Sequence, residues 1–73
     1  MNMSESIVIS VNGERRHCPP GLTLPQVLEH LGYRPELVVV ELNGTIRSRS
    51  TWGSCVVVES DGLEIVTIVG GGS

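Results

Sequence analysis

The first part of the chain alternates hydrophobic and polar positions in the way that predicts a β-hairpin. Every second residue of Ile7–Val11 is apolar, which is the period of a strand with one buried face. Asn12 and Gly13 follow, a pair that favours a type I′ turn because both of its central residues need positive φ. Glu14–Cys18 is therefore predicted to return as the second strand, and residues 19–21, Pro-Pro-Gly, to end it.

The period then changes to that of a helix. Four apolar residues recur at i, i+3, i+4 and i+7 and share one face: Leu24, Val27, Leu28 and Leu31. Thr23 is predicted to be the N-cap, since Gln26 stands three residues later with the spacing of a capping box. Gly32 fits the left-handed position just past a helix end.

The second half of the chain predicts further strands separated by turn residues. Residues 37–42 form a largely buried third strand that Asn43-Gly44 closes. The polar residues 45–52 predict a short strand followed by irregular structure or one helical turn, and residues 55–58 a brief pairing. Turn chemistry at 59–62 leads into a last strand at 63–69, which is apolar on nearly both faces, as in a central strand covered by a helix.

This order predicts an α+β fold of the β-grasp, or ubiquitin-like, type. A hairpin, a crossover helix and a C-terminal strand parallel to the first give a mixed sheet of four to five strands with one main helix packed on one face. With 73 residues the chain has room for one domain. We expect a flexible N-terminus at 1–6, the folded domain at 7–69 and a flexible glycine-rich tail at 70–73.

Charge and composition exclude several classes of function. Eight acidic residues outweigh five basic ones, lysine is absent, and the net charge is −3, so no basic patch for nucleic acid is expected. No apolar run approaches the roughly 20 residues of a membrane span, and the N-terminus lacks the basic and apolar regions of a signal peptide. The sequence therefore predicts a cytoplasmic protein with no membrane or nucleic-acid partner.

The cysteines and histidines do not form a reactive group in the sequence. Cys18 and Cys55 lie far apart and are expected to be thiols in the cytosol. His17 adjoins Cys18, but neighbours in a strand point to opposite faces. Together with His30 these residues show no ligand spacing of a metal site. We therefore predict that both cysteines fill space in the core, and that the chain binds no metal.

The glycine-rich end, Gly70-Gly71-Gly72-Ser73, is the main candidate for function. Glycines lack side chains and cannot be packed tightly, so such an end contributes little to stability. It is either a slim tail that reaches a partner or a flexible linker or cloning remnant.

Five segments together decide between these interpretations, because in this order and spacing they resemble the ThiS family, the sulfur carriers of thiamin biosynthesis. They are residues 9–14, 23–33, 38–44, 49–52 and 63–72, the last reading L-E-I-V-T-I-V-G-G-G. The chain departs from the family at two places. Residues 59–62 read E-S-D-G where the family has a pattern like E-G-D-x, so we expect a slightly altered turn with no loss of activity. Ser73 follows the glycine that ends the family's chains.

The resemblance implies a carrier that is a co-substrate and not an enzyme. A ThiF-like enzyme, using ATP and magnesium, would adenylate the terminal glycine carboxylate. A cysteine desulfurase-type donor would then supply the sulfur of a thiocarboxylate, and thiazole synthase, ThiG, would receive it. Gly72 would bear the sulfur after loss of Ser73, with Gly71 beside it and Gly70 giving the tail its flexibility. Ser73 is either trimmed, a cloning remnant or tolerated, and we favour the first two. The chain has no G-x-x-x-x-G-K-[ST] loop of its own, and a free carrier is expected to be a monomer.

Two sets of side chains are candidate docking sites. The first lies on the last strand: Leu63, Glu64, Val66 and Ile68, flanked by Glu59 and Asp61. The alternative is that its apolar members belong to the core and its acids to a solvated face, since only one alternation set can line a given face. The second candidate is Arg47 and Arg49 with Trp52, for which solubility and plugging of the core rim are the simpler roles.

Other functions share the same features. A sulfur carrier like the small subunit of molybdopterin synthase, a ubiquitin-like protein tag and a β-grasp interaction module would all fit the predicted fold. The shortness of the chain and the ending E-I-V-T-I-V-G-G-G of residues 64–72 favour the thiazole carrier. An RNA-binding domain is disfavoured by the acidic balance.

Overall fold

The computed structural model describes residues 5–68 and has five strands, one α-helix and two short 3-10 helices. The strands are β1 (Ile7–Val11), β2 (Glu14–Cys18), β3 (Val38–Leu42), β4 (Thr45–Ile46) and β5 (Gly62–Thr67). The helix α1 is Leu24–His30, and the first and second 3-10 helices are Pro35–Leu37 and Arg49–Ser54. The predicted tail at 70–73 and most of the predicted N-terminal segment lie outside the described residues.

The strands form one mixed sheet in the order β2-β1-β5-β3-β4. Strand β5 lies at its centre, parallel to β1 with Ser10 opposite Gly62 and antiparallel to β3 with Val40 opposite Ile65. The predicted β-grasp fold is confirmed, including the central position of the last strand. Within residues 5–68 no helix has the length and apolar character needed to cross a membrane.

The core lies between α1 and one face of the sheet. Its fully buried members come from every strand except β4, from the helix and, with Val57, from the loop before β5: Ile9, Cys18, Leu24, Val27, Leu28, Val38, Val40, Val57 and Leu63. Along β5 the inward side chains Leu63 and Ile65 are buried, whereas Val66 is 63% exposed. The predicted central strand, apolar on nearly both faces, is therefore present, and among the described elements α1 covers only the face of Leu63 and Ile65.

The ends of α1 follow the predicted capping pattern. The side-chain oxygen Oε1 of Gln26 accepts a hydrogen bond from the Thr23 backbone N–H at 2.8 Å, and Gly32 has φ of +92°. The brief pairing predicted for residues 55–58 also forms, as a bridge between Val56 and Thr23. Leu37 differs from prediction: it ends the first 3-10 helix, and β3 starts one residue later.

Asn12 joins the hairpin turn to the central strand. Its φ of +51°, with +85° at Gly13, fits the predicted turn of positive-φ residues. Its side-chain Oδ1 accepts from the Ile65 backbone N–H at 2.7 Å, and its Nδ2 donates to the Ile65 carbonyl at 3.2 Å. The amide side chain thus replaces a backbone partner and continues the pairing of β1 with β5 past the end of β1.

Candidate functional site

The root of the predicted tail lies at the end of the central strand. Gly70, Gly71, Gly72 and Ser73 fall outside the described residues, and Ile68 is the last residue that is described. The Ile68 backbone N–H donates to the Leu37 carbonyl at 2.6 Å. Because β5 runs parallel to β1, the chain leaves the sheet at the end that carries the hairpin turn and the start of β3.

Beside this root, the sheet face that points away from α1 exposes a row of apolar side chains. Val39 and Val66 stand opposite each other on β3 and β5, and Ile68 follows Val66 by two residues on the same face. Each of the three is at least 39% exposed. We name Val39, Val66 and Ile68 the outer stripe.

Three of the four predicted docking residues lie on this exposed face, and one does not. Glu64 is exposed and stands opposite Glu41, and Val66 and Ile68 belong to the outer stripe. Leu63 is 1% exposed and packs in the core, so its inclusion among the docking residues was wrong. The reason is the alternation of the strand, which points Leu63 and Ile65 toward α1.

The two acids predicted to flank the docking site stabilise turns instead. Glu59 Oε1 accepts a hydrogen bond from the Val8 backbone N–H at 3.0 Å. Asp61 accepts from Asn43 Nδ2 at 2.9 Å and from the Val58 backbone N–H at 2.9 Å. Glu59 thus joins the loop that leads into β5 to β1, and Asp61 joins it to the turn after β3, which gives both carboxylates a structural role.

Arg49 contacts the segment that anchors the tail root. Its guanidinium donates to three carbonyl oxygens, of Pro35 at 2.7 Å, Glu36 at 3.2 Å and Val38 at 2.8 Å. It also lies over the Trp52 ring, 4.9 Å from the ring centre, a geometry that favours a cation–π interaction.

Solubility, the simpler role considered for Arg49, therefore does not describe it. No pattern in a single sequence marks such contacts, since the acceptors lie eleven to fourteen residues away. Trp52 does plug the core rim, as the simpler interpretation predicted: it is 4% exposed, and its indole N–H donates to the Arg47 carbonyl at 3.0 Å.

A second candidate region is an open cavity of about 300 Å³ near the end of β2. Its lining is Glu5, Ser6, His17, Cys18, Pro19 and His30. Burial raises the pKa of the Cys18 thiol, which keeps it protonated and a poor nucleophile. In the described part of the chain no three His, Cys, Asp or Glu side chains are placed to hold a metal ion. The cavity also lies at the end of the sheet opposite the tail root, because Cys18 pairs with the first residue of β1.

The family of the chain follows from a comparison with known proteins. The model of the ThiS family matches residues 9–72, which include most of the hairpin, α1, β5 and the three glycines that come after it. The chain belongs to the ThiS family. The resemblance seen in the sequence is thus confirmed.

Similar proteins fall into two groups of different length. A thiazole synthase of Magnetococcus marinus is 44% identical over 64 residues, which are 88% of this chain and 20% of that protein. The chain therefore spans about a fifth of that relative. An uncharacterized protein of Porphyra purpurea, ycf40, is 34% identical over 70 residues, covering 96% of this chain and 99% of that one.

A solved structure supports the same family. The thiamine biosynthesis protein ThiS from Geobacter metallireducens matches with a TM-score of 0.76 and 29% sequence identity, over 90% of this chain and all of that one. The chain thus shares the fold of a ThiS protein, including its mixed sheet and main helix.

Proposed function

We propose that this chain is a sulfur carrier that supplies the sulfur of the thiazole ring of thiamin. The observation that carries the proposal is that the ThiS family match continues through Gly72, past the point where β5 ends at Thr67. A match restricted to the folded body would support a β-grasp module of any function. The similarity to a thiamine biosynthesis protein and to a thiazole synthase supports the same pathway.

The chemistry starts from a carboxylate that must be activated. A chain terminus of this kind has a pKa of about 3.3–3.7, so at neutral pH it is ionised and a poor electrophile. In the proposed sequence a carboxylate oxygen of Gly72 attacks the α-phosphate of ATP in a ThiF-like enzyme, and pyrophosphate leaves. The terminal sulfur of a persulfide then attacks the acyl carbon and AMP leaves. A thiol reductant finally cleaves the S–S bond and releases the thiocarboxylate.

The three glycines suit a tail that enters an enclosed site. A backbone without Cβ atoms passes through a narrower opening than any other and adopts the φ and ψ values that the passage imposes. An extended chain from Ile68 to Gly72 spans at most about 14 Å at 3.3–3.6 Å per residue. The folded body therefore stays outside the partner, and Gly70 and Gly71 place Gly72 at the reacting centre.

The outer stripe, with Glu64 beside it, is our proposed docking face. Exposed apolar side chains next to the tail root give a partner a surface to hold while the tail is inside. The proposed partners are a ThiF-like adenylating enzyme, thiazole synthase and a cysteine desulfurase-type donor, and ATP and magnesium are used by the first of these. A transient carrier of this kind is expected to be a cytoplasmic monomer when free.

An intact-mass experiment tests the proposal. The protein is incubated with a ThiF-like enzyme, ATP, magnesium and a persulfide donor, and its mass is recorded before and after. The expected result is a mass increase equal to the replacement of one oxygen by one sulfur, located by fragmentation at Gly72. The mass of protein isolated from its host reports in addition whether the chain ends at Gly72, at Ser73 or beyond.

Truncation supplies the control. A variant that ends at Gly70 should melt at the same temperature as the full chain, because within residues 5–68 the buried core residues lie between Ile9 and Ile65. It should not gain sulfur. No mass increase in protein that ends at Gly72 would contradict the carrier role and favour a protein tag or an interaction module. An increase seen only after removal of Ser73 would make trimming a required step.

A further inference from the structure

The carbonyl groups of four successive residues, 35–38, accept hydrogen bonds from two donors: the Arg49 side chain and the backbone N–H of Ile68, at the tail root. Arg49 donates to the carbonyls of Pro35, Glu36 and Val38 at 2.7, 3.2 and 2.8 Å. The remaining carbonyl, that of Leu37, accepts from the Ile68 backbone N–H at 2.6 Å. The segment that Arg49 holds is therefore the same segment that anchors the start of the tail.

This arrangement has a local physical cause. The first 3-10 helix is a single turn, so its last carbonyls lack donors within the helix. A guanidinium has several N–H donors in one rigid plane and can satisfy several acceptors together, which an ammonium cannot do with the same geometry. Arg49 thus fixes a turn that has few hydrogen bonds of its own.

Arg49 is itself held by the core. It stacks on Trp52, whose ring is buried and whose indole N–H donates to the Arg47 carbonyl at 3.0 Å. The contacts run without a gap from the core through Trp52 and Arg49 to the first 3-10 helix, and from Leu37 to Ile68. A displacement of Arg49 would accordingly move the acceptor on which the tail root depends.

We propose that Arg49 is a positioning residue for the tail. By holding residues 35–38 it keeps the Leu37 carbonyl where it anchors Ile68, and so fixes the end of the central strand from which the proposed tail continues. This inference rests on the proposed function, in which the carboxylate must reach a reacting centre in another protein. Misplacement of a reacting group by about 1 Å can cost as much as a hundredfold in rate, so direction at the root matters.

The test compares Arg49→Lys with Arg34→Lys. Both substitutions keep the positive charge, and Arg34 is an exposed arginine that precedes the same 3-10 helix. The rate of pyrophosphate release is measured with a ThiF-like enzyme and ATP over a range of carrier concentrations, well below the melting temperature. For Arg49→Lys we expect kcat to fall about tenfold with KM within about twofold, since the docking face is intact. Arg34→Lys should match the unchanged protein.

Hydrogen exchange gives a readout that does not depend on the enzyme. In Arg49→Lys the Ile68 amide should exchange about tenfold faster, while the Ile65 amide in the core keeps its protection. If folded Arg49→Lys shows normal kcat, or if Ile68 keeps its protection, the positioning role is wrong. If the unchanged protein forms no adenylate, the proposed function fails, and the exchange experiment still decides whether Arg49 anchors the root.

A second variant covers the case in which Arg49→Lys does not fold. In this variant, made by semisynthesis, an ester replaces the peptide bond between Thr67 and Ile68. The ester removes the Ile68 N–H that donates to the Leu37 carbonyl and leaves Arg49 in place. It should lower kcat about tenfold, because it breaks the last contact of the same chain. Where Arg49→Lys folds, combining the two changes should have little further effect. A normal kcat for the ester variant would overturn the proposal.

Discussion

At the scale of the single residue, Ser60 adopts a backbone conformation that its side chain disfavours. Its φ is +74°, in the left-handed region where a Cβ atom is strained and glycine is not. The turn is nevertheless well formed: the Ser60 N–H donates to the Val8 carbonyl at 2.8 Å, and the Asp61 N–H to the Val58 carbonyl at 3.1 Å. Ser60 stands where the family's turn pattern has glycine, and it adopts a left-handed conformation that favours glycine.

We predict that Ser60→Gly stabilises the protein. Relief of the left-handed strain should exceed the entropy that glycine adds to the unfolded chain, and the free energy of unfolding should rise by about 0.5–1 kcal/mol. Urea denaturation measures the change. Ser10→Gly, in the middle of β1, is the matched control and should lower stability by a similar amount. Equal effects of both substitutions would show that Ser60 is not strained.

The burial of Cys18 predicts how the stability of the protein depends on pH. Burial raises the pKa of its thiol in the folded state, so the folded protein keeps a proton that the unfolded chain releases as the pH rises past the ordinary thiol pKa of about 8.5. Below that pH the Cys18 thiol makes its full contribution to the free energy of unfolding. It is lost as the pH rises toward the folded pKa, with a slope of at most about 1.4 kcal/mol per pH unit.

Two variants isolate this effect in urea denaturation between pH 7 and 10. Cys18→Ala should lower stability at pH 7, because it leaves a gap in the core, but its stability should fall less steeply above pH 8. Cys55→Ala should keep the steeper fall. The same slope in Cys18→Ala as in the unchanged protein would mean that other groups cause the alkaline loss.

At the scale of the element, Asn12 connects the hairpin to the strand that leads into the tail. We predict that Asn12→Gly, which tolerates the positive φ but lacks both hydrogen bonds to Ile65, lowers the free energy of unfolding by about 1–2 kcal/mol. Amide exchange should be faster at Ile65, the residue that loses its partner.

Asn43→Gly tests whether that effect is local. Asn43 also has positive φ, and its side chain bonds Gly62 and Asp61 at the other end of β5. This substitution should cost stability too, but should leave exchange at Ile65 close to normal. Faster exchange at Ile65 in both variants would indicate that β5 opens as a whole, and that Asn12 has no special role.

Which elements could be predicted from the sequence depends on the range of the interactions that form them. The hairpin and α1 follow from neighbours within about four residues, through turn residues and apolar period, and their predicted limits hold. The contacts of Asn12 with Ile65 and of Arg49 with Val38 join distant segments, so no local pattern reveals them. For a related reason the sequence does not show which alternation set of β5 is covered: Leu63, Val66 and Ile68 are all apolar, and only the placement of α1 shows that Leu63 is buried and the other two are exposed.

At the scale of the whole molecule, the sheet has one packed face and one exposed apolar face. Neighbouring residues of β3 illustrate this: Val40 is 0% exposed and Val39 is 39% exposed. A small domain with a single helix covers only one side of its sheet, and the outer stripe is then available to a partner. The tail root stands at the edge of this stripe, so the proposed docking face adjoins the start of the proposed sulfur-carrying tail.

The same substitution on the two faces should therefore have opposite consequences. Val→Thr keeps the shape of the side chain and exchanges a methyl group for a hydroxyl. In Val40→Thr the hydroxyl enters the core, and we expect a loss of about 1–3 kcal/mol in the free energy of unfolding. In Val39→Thr the hydroxyl meets solvent, and the free energy of unfolding should change by no more than about 0.5 kcal/mol.

The effect on docking should be the opposite: the substitution that leaves stability unchanged, Val39→Thr, should be the one that weakens binding to the partner. With a ThiF-like enzyme in excess ATP, Val39→Thr should raise KM for the carrier several-fold with kcat unchanged, because it weakens docking and leaves the tail root in place. Val40→Thr, assayed at a temperature where it is folded, should show a KM close to that of the unchanged protein. If Val39→Thr has a normal KM, the outer stripe is not the face that this enzyme holds. The exposed valines would then have to be explained by another partner, with thiazole synthase the next to be tested in the same way.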